Sequence, residues 1–320
     1  MRISYGTRAK ELGAIRNFNG YGYAAKCMIE SLQRLGYHIE ANDASADVEI
    51  WFDQPEHWNF SDGPYKIGYH PWESTLLKPG WAEIMNECDE IWTPSPLIAD
   101  WYRRYAGVRV PVYVYEHGIE HTWLPTYRQP EGHIKFLHVG AEGARKGGWD
   151  TVRIFRKAFP SRDAELTIKM ISSNWNGIPS LGGVNYINGK MDFAGMQKLF
   201  YDHHVYVYPS WGEGFGLTPL QALGTGMPTI TLPAWAPYAD FLDPRLSIDS
   251  KLSTHRWPDI HPGKMFKPNE DDVIDAMRFA AYNYDDVHKF AVNNAEEIHH
   301  RYDWDTITKR VFSDLENRLR

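Results

Sequence analysis

The sequence has few of the features that mark a secreted, metal-bound or membrane-spanning chain. Of its 320 residues only two are cysteines, Cys27 and Cys88. Two cysteines exclude a disulfide framework and a cysteine-based zinc site, and they favour a reducing compartment. No apolar run approaches the roughly 18 residues that a membrane span needs, and the chain starts without the apolar core of a leader. We therefore expect a cytoplasmic protein without stable membrane insertion.

The charge and the length narrow the class of protein further. The formal net charge is −7, which disfavours wholesale binding to nucleic acid or to a membrane surface, although it leaves room for a local basic groove. A chain of 320 residues exceeds the usual size of one hydrophobic core, and its hydrophobic content of 43% is ample for two. These values predict a soluble enzyme with two domains.

The most informative segment is PSWGEGFGLTPLQALGTGMP, residues 209–228. Before it, His204 to Tyr208 is a β-branched and aromatic run that predicts a strand. After the strand comes a loop with three glycines, and then a helix for which Thr218 is a suitable N-cap and Pro219 a suitable first residue. A strand, glycine loop and helix in this order direct free backbone N–H groups at the loop, where an anion such as a diphosphate is held. Glu213 lies in the mouth of this loop.

This segment resembles the donor-site motif of the retaining family 4 glycosyltransferases, which have the GT-B fold. The family motif places two glutamates eight positions apart around a Gly-Phe-Gly core. Glu213 matches the first, and Gln221 stands where the second would be. In the family the first carboxylate contacts hydroxyls of the donor sugar and the second contacts the ribose. The resemblance therefore implies a catalytic role for Glu213 and donor contacts for the following positions: Gly214, Phe215, Gly216, Leu217 and Gln221.

Two roles remain open for Gln221. A carboxylate can accept hydrogen bonds from both ribose hydroxyls, whereas a glutamine offers one acceptor oxygen and two donor hydrogens. Ribose contact by Gln221 is then weaker than by a glutamate. Alternatively, Thr218-x-x-Gln221 has the spacing of a capping box, in which the glutamine closes the start of the helix and touches no ligand. The two roles can coexist.

Alternating strands and helices along the chain predict an α/β fold with parallel sheets. One series of strands precedes the polar, proline-containing segment Trp123 to His133, and a second series starts at Ile134. Together with the resemblance, this predicts two Rossmann-like domains of GT-B type facing across a cleft. The domains are expected at 1–125, on the acceptor side, and at 126–301, which binds the nucleotide sugar. By the resemblance, a helix at 302–320 crosses back to the first domain.

A second glycine-rich loop, 140–148, follows the first strand of the second series. It resembles the part of the family that supplies a phosphate-binding arginine and a Lys-Gly pair, here Arg145 and Lys146. Two fixed cations can stabilise a leaving diphosphate without a metal ion. The family usually has its arginine earlier in this loop, where Ala141 stands in this sequence.

Two segments of the first half resemble family loops near the reaction. Gly20 and Gly22, in a predicted loop Asn17 to Tyr23 before a helix, correspond to a glycine loop that approaches the diphosphate from the opposite side. The segment GYHPWES follows a predicted strand and resembles the loop that faces the sugar and the acceptor. His70 is therefore a candidate to bind a donor hydroxyl or to stabilise charge at the reacting carbon. Trp72 and Glu73 are candidates for the acceptor side.

We expect neither a metal nor a cofactor beyond the donor itself, a UDP or GDP sugar. Asp303-Trp304-Asp305 has the Asp-x-Asp pattern of metal-dependent sugar transferases, but it starts the last predicted helix, where aspartate serves as an N-cap. A dinucleotide-binding dehydrogenase is disfavoured, because Ala25 and Lys26 stand near the place of the third glycine of Gly-x-Gly-x-x-Gly.

The resemblance implies a retaining, metal-independent glycosyltransferase, and a hexosyltransferase in particular, with an unidentified hydroxyl acceptor. The acceptor could be a modified nucleobase, which the acidic balance disfavours only modestly. One alternative is a non-catalytic GT-B protein that binds nucleotide or glycan, with Gln221 as a mark of decay. The presence of both Glu213 and Lys146 argues against it. Another alternative is a nucleotide-sugar epimerase or a phosphorylase on the same fold.

Overall fold

The computed structural model describes residues 1–8, 11–14, 20–141, 144–171 and 182–320. The chain forms two compact units. The first comprises Met1–Gly118, Thr254–Met265 and Arg301–Arg320, and the second comprises Ile119–Ser253 and Phe266–His300. Residues 17–19 of the predicted loop before the first helix and residues 142–143 of the predicted loop 140–148 lie outside the described residues.

The strands and helices alternate along most of the chain. The strands are β1 (Arg2–Gly6), β2 (His38–Ala41), β3 (Val48–Phe52), β4 (Tyr65–Tyr69), β5 (Glu90–Thr93), β6 (Val112–Val114), β7 (Ile134–Val139), β8 (Ala164–Met170), β9 (Val184–Asn188), β10 (Val205–Tyr208), β11 (Thr229–Thr231), β12 (Ser250–Ser253) and β13 (Met265–Pro268). The helices are α1 (Gly20–Arg34), α2 (Trp81–Met85), α3 (Pro96–Arg104), α4 (Gly148–Ala158), α5 (Phe193–Tyr201), α6 (Leu217–Gly224), α7 (Glu270–Tyr282), α8 (Tyr284–Arg301) and α9 (Trp304–Leu319).

The first unit contains a six-stranded sheet in the order β2-β1-β3-β4-β5-β6. All of its strand pairs are parallel, for example Ile50 opposite Ile67 between β3 and β4. Every residue of β3 is buried, as expected when helices cover both faces of a parallel sheet. The predicted α/β fold with a parallel sheet is confirmed for this unit.

The second unit contains a five-stranded parallel sheet in the order β11-β10-β7-β8-β9. The sequence analysis did not predict the small β12-β13 sheet of this region. It also assigned all of 126–301 to the second domain, whereas Thr254–Met265, between β12 and β13, packs within the first unit.

The last helix packs within the first unit, against α1. Asp303 is its N-cap and accepts a hydrogen bond from the backbone N–H of Thr306 at 2.7 Å, as the sequence predicted. Asp305 accepts from Ser31 Oγ at 2.6 Å and from Arg34 Nη2 at 2.7 Å. The Asp-x-Asp pattern therefore caps and docks this helix. None of the helices in the described part of the chain is long and apolar enough to span a membrane.

Candidate functional site

Two loops of the second unit meet because they follow neighbouring parallel strands. β7 pairs with β10, with Phe136 opposite Val205. Parallel strands end at the same edge of a sheet, so the loops after them lie side by side. The backbone N–H of Trp211, after β10, donates to the carbonyl of Arg145, after β7, at 2.9 Å. The two predicted donor-site loops are thus joined into one structure.

The Glu213 carboxylate is the centre of this loop pair. It accepts hydrogen bonds from Arg145 Nη1 at 2.9 Å and from Lys146 Nζ at 3.1 Å. Two hydroxyl groups that the sequence analysis missed also donate to it, Ser210 Oγ at 2.8 Å and Tyr208 OH at 2.9 Å. Both lie at or just after the end of β10. The only feature of the sequence that could have pointed to them is their nearness to Glu213.

The charges of this cluster favour an ionised carboxylate. Burial by itself would raise the pKa of Glu213, but Arg145, Lys146 and the Ser210 hydrogen bond outweigh it and lower this pKa to about 2. Glu213 is only 7% exposed, while the side chains of Arg145 and Lys146 are 14% and 21% exposed. One carboxylate and two cations leave a net charge of +1 in a partly accessible loop, which suits an anionic ligand.

The glycine loop has a backbone that only glycine supports. Gly216 has φ 84°, in the left-handed region, and is the N-cap of α6. A Cβ at this position would lie 2.5 Å from the Tyr238 hydroxyl and 2.7 Å from the Trp235 ring. Gly214 and Phe215 are buried in the same loop, and Leu217 is the first residue of α6. The predicted donor residues after Glu213 are therefore contiguous with the start of this helix.

The predicted capping box at α6 is wrong. Because Gly216 takes the N-cap position, Thr218 lies inside the first turn, where its Oγ1 accepts a hydrogen bond from Tyr206 OH at 2.8 Å. Thr218 therefore cannot pair with Gln221 as the cap of a capping box. Gln221 is buried on α6, at 6% exposure. Its contact with ribose stays a prediction.

His70, which follows β4 in the first unit, is completely buried. Its Nδ1 lies 3.3 Å from Tyr21 OH, and this hydroxyl donates its hydrogen to the carbonyl of Pro71 at 3.0 Å. Donation by this hydroxyl to Pro71 favours the tautomer with its proton on Nδ1, in which Nε2 is an acceptor. Within the described ranges Nε2 has no hydrogen-bond partner. Burial lowers the pKa of His70 to about 3, so the ring is neutral at physiological pH.

Aromatic rings surround His70. It stacks on Tyr102 with ring centroids 6.3 Å apart, and Trp81 and Trp72 lie 5.0 and 5.5 Å away. This wall excludes water from the imidazole and offers no carboxylate to stabilise its charged form. The neutral ring can accept a hydrogen bond, but its surroundings disfavour the second proton that would give it a charge.

Gly20 and Gly22 are in a different conformation from the one predicted. The sequence analysis placed them in a loop before a helix, whereas both belong to the first turn of α1. Neither has a positive φ, so both adopt ordinary helical geometry. Tyr21 lies between them and reaches His70, a contact that the glycine pattern did not indicate.

Trp72 and Glu73 are joined by a residue that the sequence analysis missed. His261 lies with its ring 5.0 Å from the Trp72 ring, and its Nδ1 is 3.7 Å from Glu73 Oε2. The segment that carries His261 is anchored by hydrogen bonds between Thr75 and Lys264 in both directions, at 3.1 and 2.9 Å. Nearly two hundred residues separate these partners in sequence, so no local motif could reveal the contact.

None of the His, Cys, Asp and Glu residues that the structure describes form a group of three or more able to hold a metal ion. His70, Glu213, Arg145 and Lys146 offer hydrogen bonds and charge. The first of these residues lies in one unit and the other three lie in the other.

Comparisons with known proteins place the chain in a family. A family model described as "Family 4 Glycosyltransferase in conflict systems" matches residues 95–311, which are 217 of the 320 residues. The matched range includes Arg145, Lys146 and Glu213. A comparison with curated protein sequences found no match.

Solved structures share the fold at low sequence identity. Sucrose-phosphate synthase from Thermosynechococcus elongatus is 13% identical with a TM-score of 0.73, covering 99% of this chain and 98% of that one. TarM of S. aureus, in complex with UDP and alpha-GlcNAc-glycerol, is 14% identical with a TM-score of 0.62, covering 91% of this chain and 58% of that one. A trehalose-6-phosphate synthase, studied for glycosyltransfer with retention, is 12% identical with a TM-score of 0.60, covering 92% and 78%.

The structural likeness establishes the GT-B type of fold that the sequence predicted, with two Rossmann-like units. The family model begins in the first unit, spans the whole second unit and reaches into the last helix. The chain therefore belongs to the family 4 glycosyltransferases of conflict systems and is a glycosyltransferase.

Proposed function

We propose that the chain is a retaining, metal-independent glycosyltransferase that moves a hexose from a nucleoside diphosphate sugar to an acceptor hydroxyl. One observation carries the proposal: Glu213 is held ionised between Arg145 and Lys146 in a glycine loop at the start of a helix. A carboxylate for sugar hydroxyls and two cations for a diphosphate are the groups that such a donor requires.

The diphosphate would bind to Arg145, to Lys146 and to the backbone amides of Gly214–Gly216. Negative charge develops on the leaving phosphate oxygen in the transition state, and cations already fixed by Glu213 stabilise it without reorganisation. The Gln221 amide is the proposed partner of the ribose. We infer a UDP or GDP donor, and the complex of TarM with UDP supports the first choice.

Glu213 would accept hydrogen bonds from hydroxyls of the donor sugar. Because its pKa is near 2, it remains ionised and cannot act as the proton donor near neutral pH. On the first unit, Nε2 of His70 would accept from another hydroxyl of the sugar, since its tautomer leaves a lone pair there. Trp72 and Glu73, together with His261, would contact the acceptor.

The proposed reaction needs no carboxylate nucleophile. The acceptor oxygen attacks the anomeric carbon from the face that the diphosphate leaves, so one carbon–oxygen bond forms as the other breaks. The acceptor proton goes to a phosphate oxygen of the departing diphosphate. This route keeps the anomeric configuration and differs from that of retaining glycosidases, which use two carboxylates. The retention studied in the trehalose-6-phosphate synthase of the same fold supports this choice.

The first experiment measures thermal unfolding with UDP, GDP, ADP, TDP and their sugar conjugates, in the presence of a metal chelator. A ligand that binds only the folded state raises the melting temperature, by a few degrees at concentrations well above its Kd. We expect one nucleotide to do so, and Lys146→Ala to abolish the shift. Lys289→Ala, an exposed lysine on α8 of the same unit, is the matched control and should keep it.

With the donor known, NMR of the transfer product reads out the anomeric configuration. Retention without metal supports the proposal. Inversion would overturn the retaining mechanism, and a requirement for a divalent cation would overturn metal independence. Nucleotide binding that Lys146→Ala leaves intact would overturn the assignment of the diphosphate to Lys146.

A further inference from the structure

Arg128, in the polar segment before β7 of the second unit, is a buried cation to which the described residues supply no counter-ion. It is only 5% exposed. Its Nη1 donates to two backbone carbonyls, of Thr126 at 3.0 Å and of Thr225 at 2.8 Å. Throughout the described ranges no aspartate or glutamate forms an ion pair with it. An isolated buried charge is costly, and proteins normally pair it.

Several buried hydrogen-bond donors at and near this guanidinium have no acceptor among the described residues. Among the residues that the structure describes, its Nε and Nη2 are buried without a hydrogen-bond partner, and so is the hydroxyl of Tyr284, which is itself 5% exposed. The Tyr284 ring stacks on the His288 ring with centroids 5.2 Å apart, and His288 Nε2 accepts from the Arg128 backbone N–H, so Arg128 and Tyr284 share one neighbour. Because they are not bonded to each other, one small acceptor between them would satisfy both.

Asp285, an exposed carboxylate next to Tyr284, forms no ion pair with Arg128 among the described residues. It adds to the effect of burial in raising the pKa of Tyr284, and it partly offsets the effect of burial in lowering the pKa of His288. Burial lowers the pKa of Arg128 to about 10, so it stays protonated at neutral pH. His288 accepts from the Arg128 backbone N–H at 2.8 Å with Nε2 and lies 3.1 Å from the Gly226 carbonyl with Nδ1, so it is neutral. His204, whose ring is 5.5 Å from that of Tyr284, has its pKa lowered to about 4, chiefly by burial. Tyr201 presents its ring to the guanidinium at 5.8 Å.

We propose that Arg128 and Tyr284 hold a small monovalent anion, chloride in the simplest case, enclosed in the second unit. Such an anion supplies both the missing acceptor and the missing charge, whereas a water molecule supplies only the acceptor. A monovalent ion matches the single positive charge of the site and is cheaper to dehydrate than a phosphate.

This inference goes beyond the proposed function, since the site is separate from the Glu213 loop. The two are connected by α6. Its first residue follows Gly216 of the donor loop, and the Thr225 carbonyl just after its last residue is the one that Arg128 holds. Occupancy of the anion site should therefore stabilise the unit that carries the donor loop.

The test is thermal unfolding of the full chain in chloride-free buffer, titrated with sodium chloride to about 0.1 M at constant ionic strength with gluconate, which is too large to enter. We expect the melting temperature to rise by several degrees and to saturate. Arg128→Met should remove the chloride dependence. Tyr284→Phe, which deletes a single hydroxyl, should weaken the apparent chloride affinity about fivefold. Tyr282→Phe, at a 71% exposed tyrosine, should change nothing.

Crystals grown with sodium bromide give an independent readout, because bromide scatters anomalously. A peak within hydrogen-bonding reach of Arg128 Nε or Nη2 and of Tyr284 OH supports the proposal. A water molecule at that point overturns the proposal. A wild-type melting temperature that does not change with the chloride concentration also overturns it. If Arg128→Met does not fold, Tyr284→Phe and the bromide map still decide.

Discussion

Glu213 in the second unit and His70 in the first are both buried, and both have a pKa far below the usual range, for opposite reasons. Cations outweigh burial at Glu213 and lower its pKa to about 2, which keeps the group charged. Burial alone dominates at His70 and lowers its pKa to about 3, which keeps the group neutral. For an acid a lowered pKa favours the charged form, and for a base it favours the neutral form.

Because Glu213 is charged and His70 is neutral, the two units offer different chemistry to a ligand. The loop around Glu213 is a preformed array of charges, suited to an anionic donor. The surroundings of His70 are aromatic rings, and its neutral imidazole offers one hydrogen-bond acceptor, which would suit a neutral sugar hydroxyl. Substitutions that remove charge should therefore matter most in the second unit, and those that remove a neutral hydrogen bond should have modest effects in the first.

The largest effect is expected from Glu213→Gln. It keeps the shape of the side chain but removes the charge that orients Arg145 and Lys146, and we expect kcat/KM for transfer to fall about a thousandfold, or roughly 4 kcal/mol. Steady-state kinetics with the identified donor measures this. Glu296→Gln, at an exposed position of α8, is the control. Retention of more than a tenth of the wild-type value would remove Glu213 from the catalytic site.

The same variant tests the origin of the low pKa through stability. The folded-state pKa of Glu213 lies below its ordinary value of 4.5, so its ionisation stabilises the protein above about pH 4.5 and this contribution is lost as the pH falls towards 2. The total is roughly 3 kcal/mol. Urea unfolding at several pH values should show a smaller loss of unfolding free energy in acid for Glu213→Gln than for the wild type. Parallel pH curves would contradict the cation-dominated environment.

Gly216→Ala tests whether the donor loop depends on its backbone. Alanine would adopt φ 84° and place a methyl group within 2.5 Å of the Tyr238 hydroxyl, so we expect a loss of about 2–3 kcal/mol of unfolding free energy. Gly36→Ala has nearly the same φ, 83°, but meets no atom within 4 Å, and isolates the cost of the dihedral angle at about 1 kcal/mol. Equal shifts in the urea midpoint would show that the contact with Tyr238 is unimportant.

His70→Phe tests the neutral side of the comparison. It keeps an aromatic ring but removes the Nε2 acceptor, and we expect kcat/KM to fall about 10- to 100-fold. His70→Gln, which restores an acceptor, should recover part of the loss, and His300→Phe, at an exposed histidine, should be silent. Because the pKa of His70 is near 3, the wild-type pH–rate profile should show no ionisation of His70 between about pH 5 and pH 8. If the wild-type profile shows an ionisation in that range and His70→Gln removes it, the conclusion that the His70 ring is neutral would be wrong.

Tyr21→Phe should have the smallest effect. Loss of the hydroxyl frees the His70 ring to change tautomer, at a cost of about 1 kcal/mol or fivefold in kcat/KM. Nucleotide binding, assigned to the other unit, should be unchanged in the thermal-shift assay. Tyr105→Phe, at a 55% exposed tyrosine, controls for the substitution itself. An equal loss of nucleotide binding would show that Tyr21 acts on the whole fold instead.

Local patterns predicted the parts of the second unit that lie within one strand–loop–helix segment. The strand before Glu213, the three glycines and the helix after them are consecutive in sequence, so their spacing carries most of the geometry. Even there, the N-cap was misplaced by two residues, because Thr218 has capping chemistry whereas the left-handed backbone at Gly216 depends on contacts with Trp235 and Tyr238.

The sequence by itself determined the α/β class, the glycine loops and the identity of Glu213, Lys146 and His70 as candidates, because period, turn chemistry and charge are local properties. Only the tertiary structure decided that Arg145 and Lys146 both bind Glu213, that Tyr21 lies beside Nδ1 of His70, and that His261 lies against Trp72. These contacts join residues that are far apart in sequence. They form because parallel strands pair and because distant segments of the chain fold against each other. Burial and charge pairing then set which form of each group exists, and neither can be read from neighbouring residues.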